Sequence, residues 1–190
     1  MLFFQHNTLR AIWFVFWVLW FVPAIFSKRT IHRQTSGSRI LQILLILTAY
    51  VLIFNPAVRG VVLNLRVAPA DLPAAFTGYG LTAAGMLFAC WARVYLGGNW
   101  SAAVTLKQDH TLVRSGPYSI VRHPIYTGLL VGLLGTALVL GELRCFLGVA
   151  VAAIAWKIKS VSEEALMLQQ FGDQYTRYRM QVKALVPYLW

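Results

Sequence analysis

Arg122 and His123 sit in the block GPYSIVRHPIYTG, Gly116 to Gly128, a polar, proline-punctuated stretch lying between apolar runs of membrane length. A guanidinium and an imidazole held that close to lipid are costly, so the pair marks a functional site by default. The competing reading is that Arg122 snorkels to phosphate head groups while Pro124 starts a helix. Pro124 fits the first position of such a helix and forces His123 out of helical geometry. Backbone amides at the helix start are then expected to point into the preceding loop, where with the helix dipole they suit an anion.

A second polar cluster lies near the carboxy terminus, where Glu163 and Glu164 are adjacent in a predicted helix. Lys159 stands four residues before Glu163, the spacing of an ordinary ion pair on one helix face worth a few tenths of a kcal/mol. Against that plain reading stands the distribution of acidic residues: four of the six lie beyond Gly141. An acidic patch opposite a basic, amide-rich loop could hold a zwitterionic ligand, or one with hydroxyls and a positive centre.

The elements that must position these groups are membrane spans. Of the 190 residues 58% are hydrophobic and 12% charged, about half the charged share of a soluble domain. The net charge of +11 comes from basic residues beside apolar runs, which suits anionic lipid; no nucleic-acid partner is expected. Hydropathy predicts an all-α, polytopic chain with about five spans: Ile12 to Phe26, Ile40 to Phe54, Phe76 to Leu96, Ile125 to Leu140 and Cys145 to Trp156. The last two are shorter than the ~20 residues of a perpendicular span, and a turn from Gly141 to Arg144 joins them. Cys90 and Cys145 have no metal or disulfide spacing and read as packing residues. The first apolar run lacks a cleavage site and is expected to be retained.

Lys28, Arg29, Arg33 and Arg39 crowd the first connection, against Arg59 and Arg66 in the second. Five crossings then put the amino terminus outside, with the loop from Gly97 to Pro124 and the tail from Lys157 on the cytoplasmic face. Gly97 and Gly98 end the third span, and the half-apolar segment after them is expected to hug the interface. The tail reads as a helix continuing to Phe171, stopped by Gly172, followed by a short helix capped by Asp173 and carrying Tyr175 and Tyr178. A single domain covers residues 1–190, with three spans in 1–96 and the polar chemistry in 97–190.

The strings HTLVRSGPYSIVRHPIYTG and EEALMLQQFGDQYTRY, with a late Pro187, resemble the isoprenylcysteine carboxyl methyltransferase family and its phospholipid methyltransferase relatives. The resemblance covers the chain from Asn99 onward. It implies that S-adenosylmethionine is held by His110, Thr111, Leu112, Val113, Tyr118, His123, Pro124, Ile125, Tyr126 and Glu163, with Lys107 as a further contact. Arg122 and Glu163 are the expected catalytic residues. Arg122 and Lys159 are the expected contacts to substrate, Lys159 standing where the eukaryotic enzymes have an arginine. The expected acceptor is an amphipathic lipid-like or prenylated carboxylate drawn from the bilayer.

A carboxylate is already ionised at neutral pH and needs no general base, in keeping with a chain that offers no metal-ligand cluster and no nucleophile beside a base. A lipid amine acceptor would instead need Glu163 or Glu164 as base. Phospholipid N-methylation and ligand sensing without catalysis are the alternatives. His6 and His32 are expected to be solvated, the tryptophans to pack and anchor, and Gly128, Gly132 and Gly135 to serve close helix packing.

Overall fold

The structure, a computed structural model, describes residues 2–21, 30–33, 36–97, 105–107 and 111–186; at 2–4, 30–33, 36–38 and 105–107 it describes the backbone alone. Among the described residues six α-helices run in chain order: α1 (Leu2–Phe21), α2 (Ser36–Phe54), α3 (Leu72–Leu96), α4 (Pro124–Leu140), α5 (Leu143–Phe171) and α6 (Asp173–Gln181). A 3-10 turn, Gly116–Ser119, precedes α4. The expected all-α class holds, with a short ribbon beside the helices in which β1 (Thr30–Arg33) pairs antiparallel with β2 (Thr105–Lys107). It ties the connection after α1 to the one after α3, and both segments are too short and polar to carry a strand period.

α3 and α5 are long and apolar enough to cross a membrane; α4 and the apolar part of α2, Arg39–Phe54, are shorter. Phe14, Leu44, Phe76 and Leu87 are all exposed on helix faces. That pattern suits a bundle whose surroundings are hydrocarbon.

The helix ends gather in two layers. At the far layer Arg10 donates to the carbonyl of Phe54, Arg144 to that of Leu52, and the Val67 amide to Gly141. His6 is buried there, with Nε2 3.9 Å from Glu142. The expectation that His6 is solvated is therefore wrong, because the start of α5 brings a carboxylate from across the chain onto α1.

α4 is the central helix, and most of its residues are buried. Its glycines meet glycines of α3: a Cβ on Gly85 would stand 2.4 Å from the Gly128 carbonyl oxygen, and one on Gly135 2.4 Å from that of Gly78. Trp13 of α1 donates to Thr136 at 2.9 Å, and Thr136 lies 3.3 Å from Thr82 of α3. Cys145 is buried as expected of a packing residue, whereas Cys90 is exposed.

Candidate functional site

The opposite layer holds the site. α3 ends at Gly97, whose φ of 55° suits glycine at a helix stop. Pro124 is the first residue of α4, and His123 precedes it at φ −122°, ψ 60°. α5 runs unbroken past Lys157 to Phe171, carrying the two glutamates out of the apolar bundle, and Gly172 turns the chain into α6 at φ 47°. Asp173 lies in the first turn of α6 but makes no cap, and Gly172 holds that position instead.

Adjacent helical residues point about 100° apart, so Glu163 and Glu164 serve different neighbours. Glu163 faces the interior. It accepts from the Tyr126 hydroxyl at 2.7 Å, and its carboxylate lies 3.5 Å from His123 Nδ1 and 3.7 Å from Lys159 Nζ. The plain ion pair of Lys159 with Glu163 is thus present, with Lys159 also 5.3 Å from the centre of the Tyr126 ring. Glu164 turns to the loop and tail. Its Oε1 accepts from Arg122 Nε at 2.9 Å and Nη2 at 2.7 Å, and lies 3.1 Å from His123 Nε2.

His123 therefore lies between two carboxylates, and it donates to both only as the doubly protonated cation. Burial opposes that charge, but the hydrogen bonds to Glu163 and Glu164 outweigh it and hold His123 above its ordinary 6.5. Burial likewise works against the charged carboxylates. Lys159 and His123 nonetheless hold Glu163 below its ordinary 4.5, and His123 and Arg122 bring Glu164 down to about 2.

Arg122 also donates through Nη1 to the carbonyls of Arg179, at 3.2 Å, and Val182. The guanidinium thereby joins the loop, α5 and the tail while still lining the site's cavity. The tail also takes amides expected to remain open, since Arg122 N–H donates to Lys183 at 2.8 Å and His123 N–H to Ala184 at 3.0 Å. The two amides before Pro124 are accordingly taken by the tail, which roofs that side of the helix start.

Between these groups and the bundle lies a cavity of about 510 Å³, within the range of small-molecule sites. Thr111, Leu112, Val113, Tyr118, Arg122, His123, Ile125, Tyr126, Lys159 and Glu163 line it. Pro124 is fully buried behind the wall and holds the helix start. His110 lies outside the described residues, and of Lys107 only the backbone in β2 is described. The rings of His123, Tyr126 and Trp156 form a parallel stack, with centroid spacings of 5.5 and 6.1 Å and tilts of 9° and 3°.

Sequence reasoning missed the opposite wall. Trp17, Trp20 and Phe21 of α1, and Arg39, Gln42, Ile43, Ile46, Leu47 and Tyr50 of α2, line the same cavity. Trp17 donates to the Tyr50 hydroxyl at 3.0 Å, fixing α1 on α2. The one available signal was the spacing of the α2 residues at steps of three and four, a single helical stripe.

This pairing of an RHP loop with adjacent glutamates coincides with a known sequence profile, that of the isoprenylcysteine carboxyl methyltransferase family, which matches residues 78–170. Over that region the chain is similar to the family. Protein-S-isoprenylcysteine O-methyltransferase of Schizosaccharomyces pombe is 38% identical over 101 residues, covering 50% of this chain and 42% of that protein. The Rattus norvegicus enzyme of the same name is 31% identical over 121 residues, covering 57% of this chain and 42% of its own. The matches thus span less than half the length of these relatives. A solved structure of the eukaryotic intramembrane Ras methyltransferase, isoprenylcysteine carboxyl methyltransferase, superposes with a TM-score of 0.54 at 23% identity, covering 84% of this chain and 55% of that one. The likeness to that structure is one of fold. The family region contains α4, the cavity-lining loop before it and nearly all of α5, but excludes α1 and α2.

Proposed function

We propose that the chain is an S-adenosylmethionine-dependent methyltransferase that O-methylates the carboxylate of an isoprenylcysteine-like or other lipid-like acceptor at the membrane interface. The observation that carries this is the cavity itself, in which the family's loop and Glu163 form a polar end continuous with an apolar wall of α1, α2 and Trp156. The donor set suits the cofactor: a carboxylate and a lysine for an amino-acid moiety and hydroxyls, and stacked rings for a purine. Five crossings, with the site on the cytoplasmic face, complete the reading.

When bound, S-adenosylmethionine supplies a methyl on a sulfonium, so that the acceptor's O–CH3 bond forms as the C–S bond breaks and no proton moves. The chain's own contribution is alignment, which can be worth about 7 to 11 kcal/mol. Glu163, held ionised by Lys159 and His123, orients polar groups and favours a positive centre nearby. Tyr126 fixes that carboxylate. The roof formed by the tail over Arg122 and His123 limits water, which strengthens attraction between an anionic acceptor and a cationic donor.

Purified protein incubated with methyl-labelled cofactor and crude lipid extract tests this. Base-labile label is expected. Base-stable label in a head group would redirect the activity to N-methylation, and cofactor binding without transfer would leave a ligand-binding protein.

A further inference from the structure

We propose that Arg39 of α2 is the cation that recognises the acceptor's carboxylate, and that the α2 stripe behind it receives the acceptor's chain. The inference rests on the carboxyl-methylation reading above. Among the described residues Arg39, Arg122, Lys159 and the protonated His123 are the cations that line the cavity, and His123 is held between Glu163 and Glu164. Arg122 is committed to Glu164 and to backbone carbonyls. Lys159 is paired with Glu163. Arg39 is exposed at the cavity and makes no ion pair with any described residue. A carboxylate entering this space therefore meets one guanidinium whose fork is still available for two parallel hydrogen bonds.

The order of residues along α2 supports the same assignment. Arg39, Gln42, Ile46 and Tyr50 fall at steps of three or four and all line the cavity, so a single helix face presents a cation, then a buried amide, then apolar surface. An amphiphile with an anionic head and a hydrocarbon tail matches that sequence from end to end. A cationic head group does not, because its positive charge would meet Arg39. The whole stripe lies outside the family-matched region 78–170, so it is positioned to set which acceptor this chain takes while the cofactor end stays common to the family.

The test separates recognition from turnover. Binding of an N-acetylated S-prenylcysteine and of its neutral carboxamide is measured by titration calorimetry in detergent, with the demethylated cofactor product present. The wild-type protein should prefer the carboxylate. Arg39→Gln should weaken carboxylate binding on the order of tenfold to a hundredfold, the loss expected for a charge-assisted hydrogen bond. It should leave carboxamide binding and the dissociation constant of the cofactor product unchanged, and Arg39→Lys should fall between. An undiminished preference in Arg39→Gln, or equal binding of the two ligands by the wild type, overturns the assignment. Failure of the wild type to methylate any carboxylate overturns the activity reading instead, whatever the calorimetry returns.

Discussion

Glu164 holds Arg122 through a single carboxylate oxygen, Oε1, which accepts from Nε at 2.9 Å and Nη2 at 2.7 Å. Both side chains are nearly buried, at 9% and 13% exposure. Breaking such a pair leaves one charge without its partner, which costs more than the pair itself contributes. Glu164→Ala is therefore expected to destabilise the fold by about 3 kcal/mol, seen as a lowered thermal midpoint in detergent. The double variant Arg122→Ala/Glu164→Ala should lose clearly less than the sum of the two single losses. Strict additivity would show that the clamp is not a unit.

The same groups bound the pH range of stability. Glu163 and Glu164 are depressed from 4.5, Glu164 to about 2, so their contribution is complete above 4.5 and is lost as pH falls toward 2. His123 is raised above 6.5, so its contribution is complete below 6.5 and is lost as pH climbs through the folded value. The ligand-free protein should thus be most stable between 4.5 and 6.5. His123→Asn should remove the alkaline decline while keeping the acid one. Thermal midpoints across pH decide this, and an alkaline limb that persists in His123→Asn would reject it.

Much of the site is legible in the amino-acid sequence because its parts are punctuated. Pro124 fixes a helix start, Gly172 a helix stop, and the paired glutamates interrupt an otherwise apolar helix. The α2 wall carries no such mark. In a membrane bundle the face toward a cavity and the face toward lipid are both apolar, so Ile46, which is partly buried and lines the cavity, differs in nothing visible from Leu44, which is exposed and does not line it. Arg39 reads as a topology signal for the same reason. The commitment of Arg122 is also hidden in the sequence, since its partners Arg179 and Val182 come from a tail some 60 residues away. His6 likewise needs Glu142 brought across the bundle.

Tyr126 and Glu163 supply a test of the cofactor end. The Tyr126 hydroxyl donates to Glu163 at 2.7 Å, so Tyr126→Phe removes one hydrogen bond from a carboxylate that Lys159 and His123 still hold ionised. Binding of S-adenosylhomocysteine should weaken by about tenfold. Glu163→Gln should cost more, since it removes the charge as well as the acceptor geometry. Calorimetric titration measures both, and an unchanged dissociation constant in Glu163→Gln would exclude that residue from the cofactor site.

Two glycines of α3 make opposite predictions on one helix. A Cβ at Gly85 would meet the Gly128 carbonyl oxygen and the Gly132 nitrogen, both at 2.4 Å, and both are backbone atoms that no rotamer change can move. Gly85→Ala must therefore push α3 off α4, at a cost of about 1 to 3 kcal/mol. The displacement also reaches the site, because α4 begins at Pro124 and carries Tyr126. At Gly80 nothing lies within 4 Å of the added carbon. There alanine only removes the entropic penalty of a helical glycine, a gain of about 0.5 to 1 kcal/mol. Thermal midpoints of the two variants should move in opposite directions, with cofactor-product affinity falling in Gly85→Ala and unchanged in Gly80→Ala. Equal behaviour of the two would mean that α3 and α4 do not meet through their glycines.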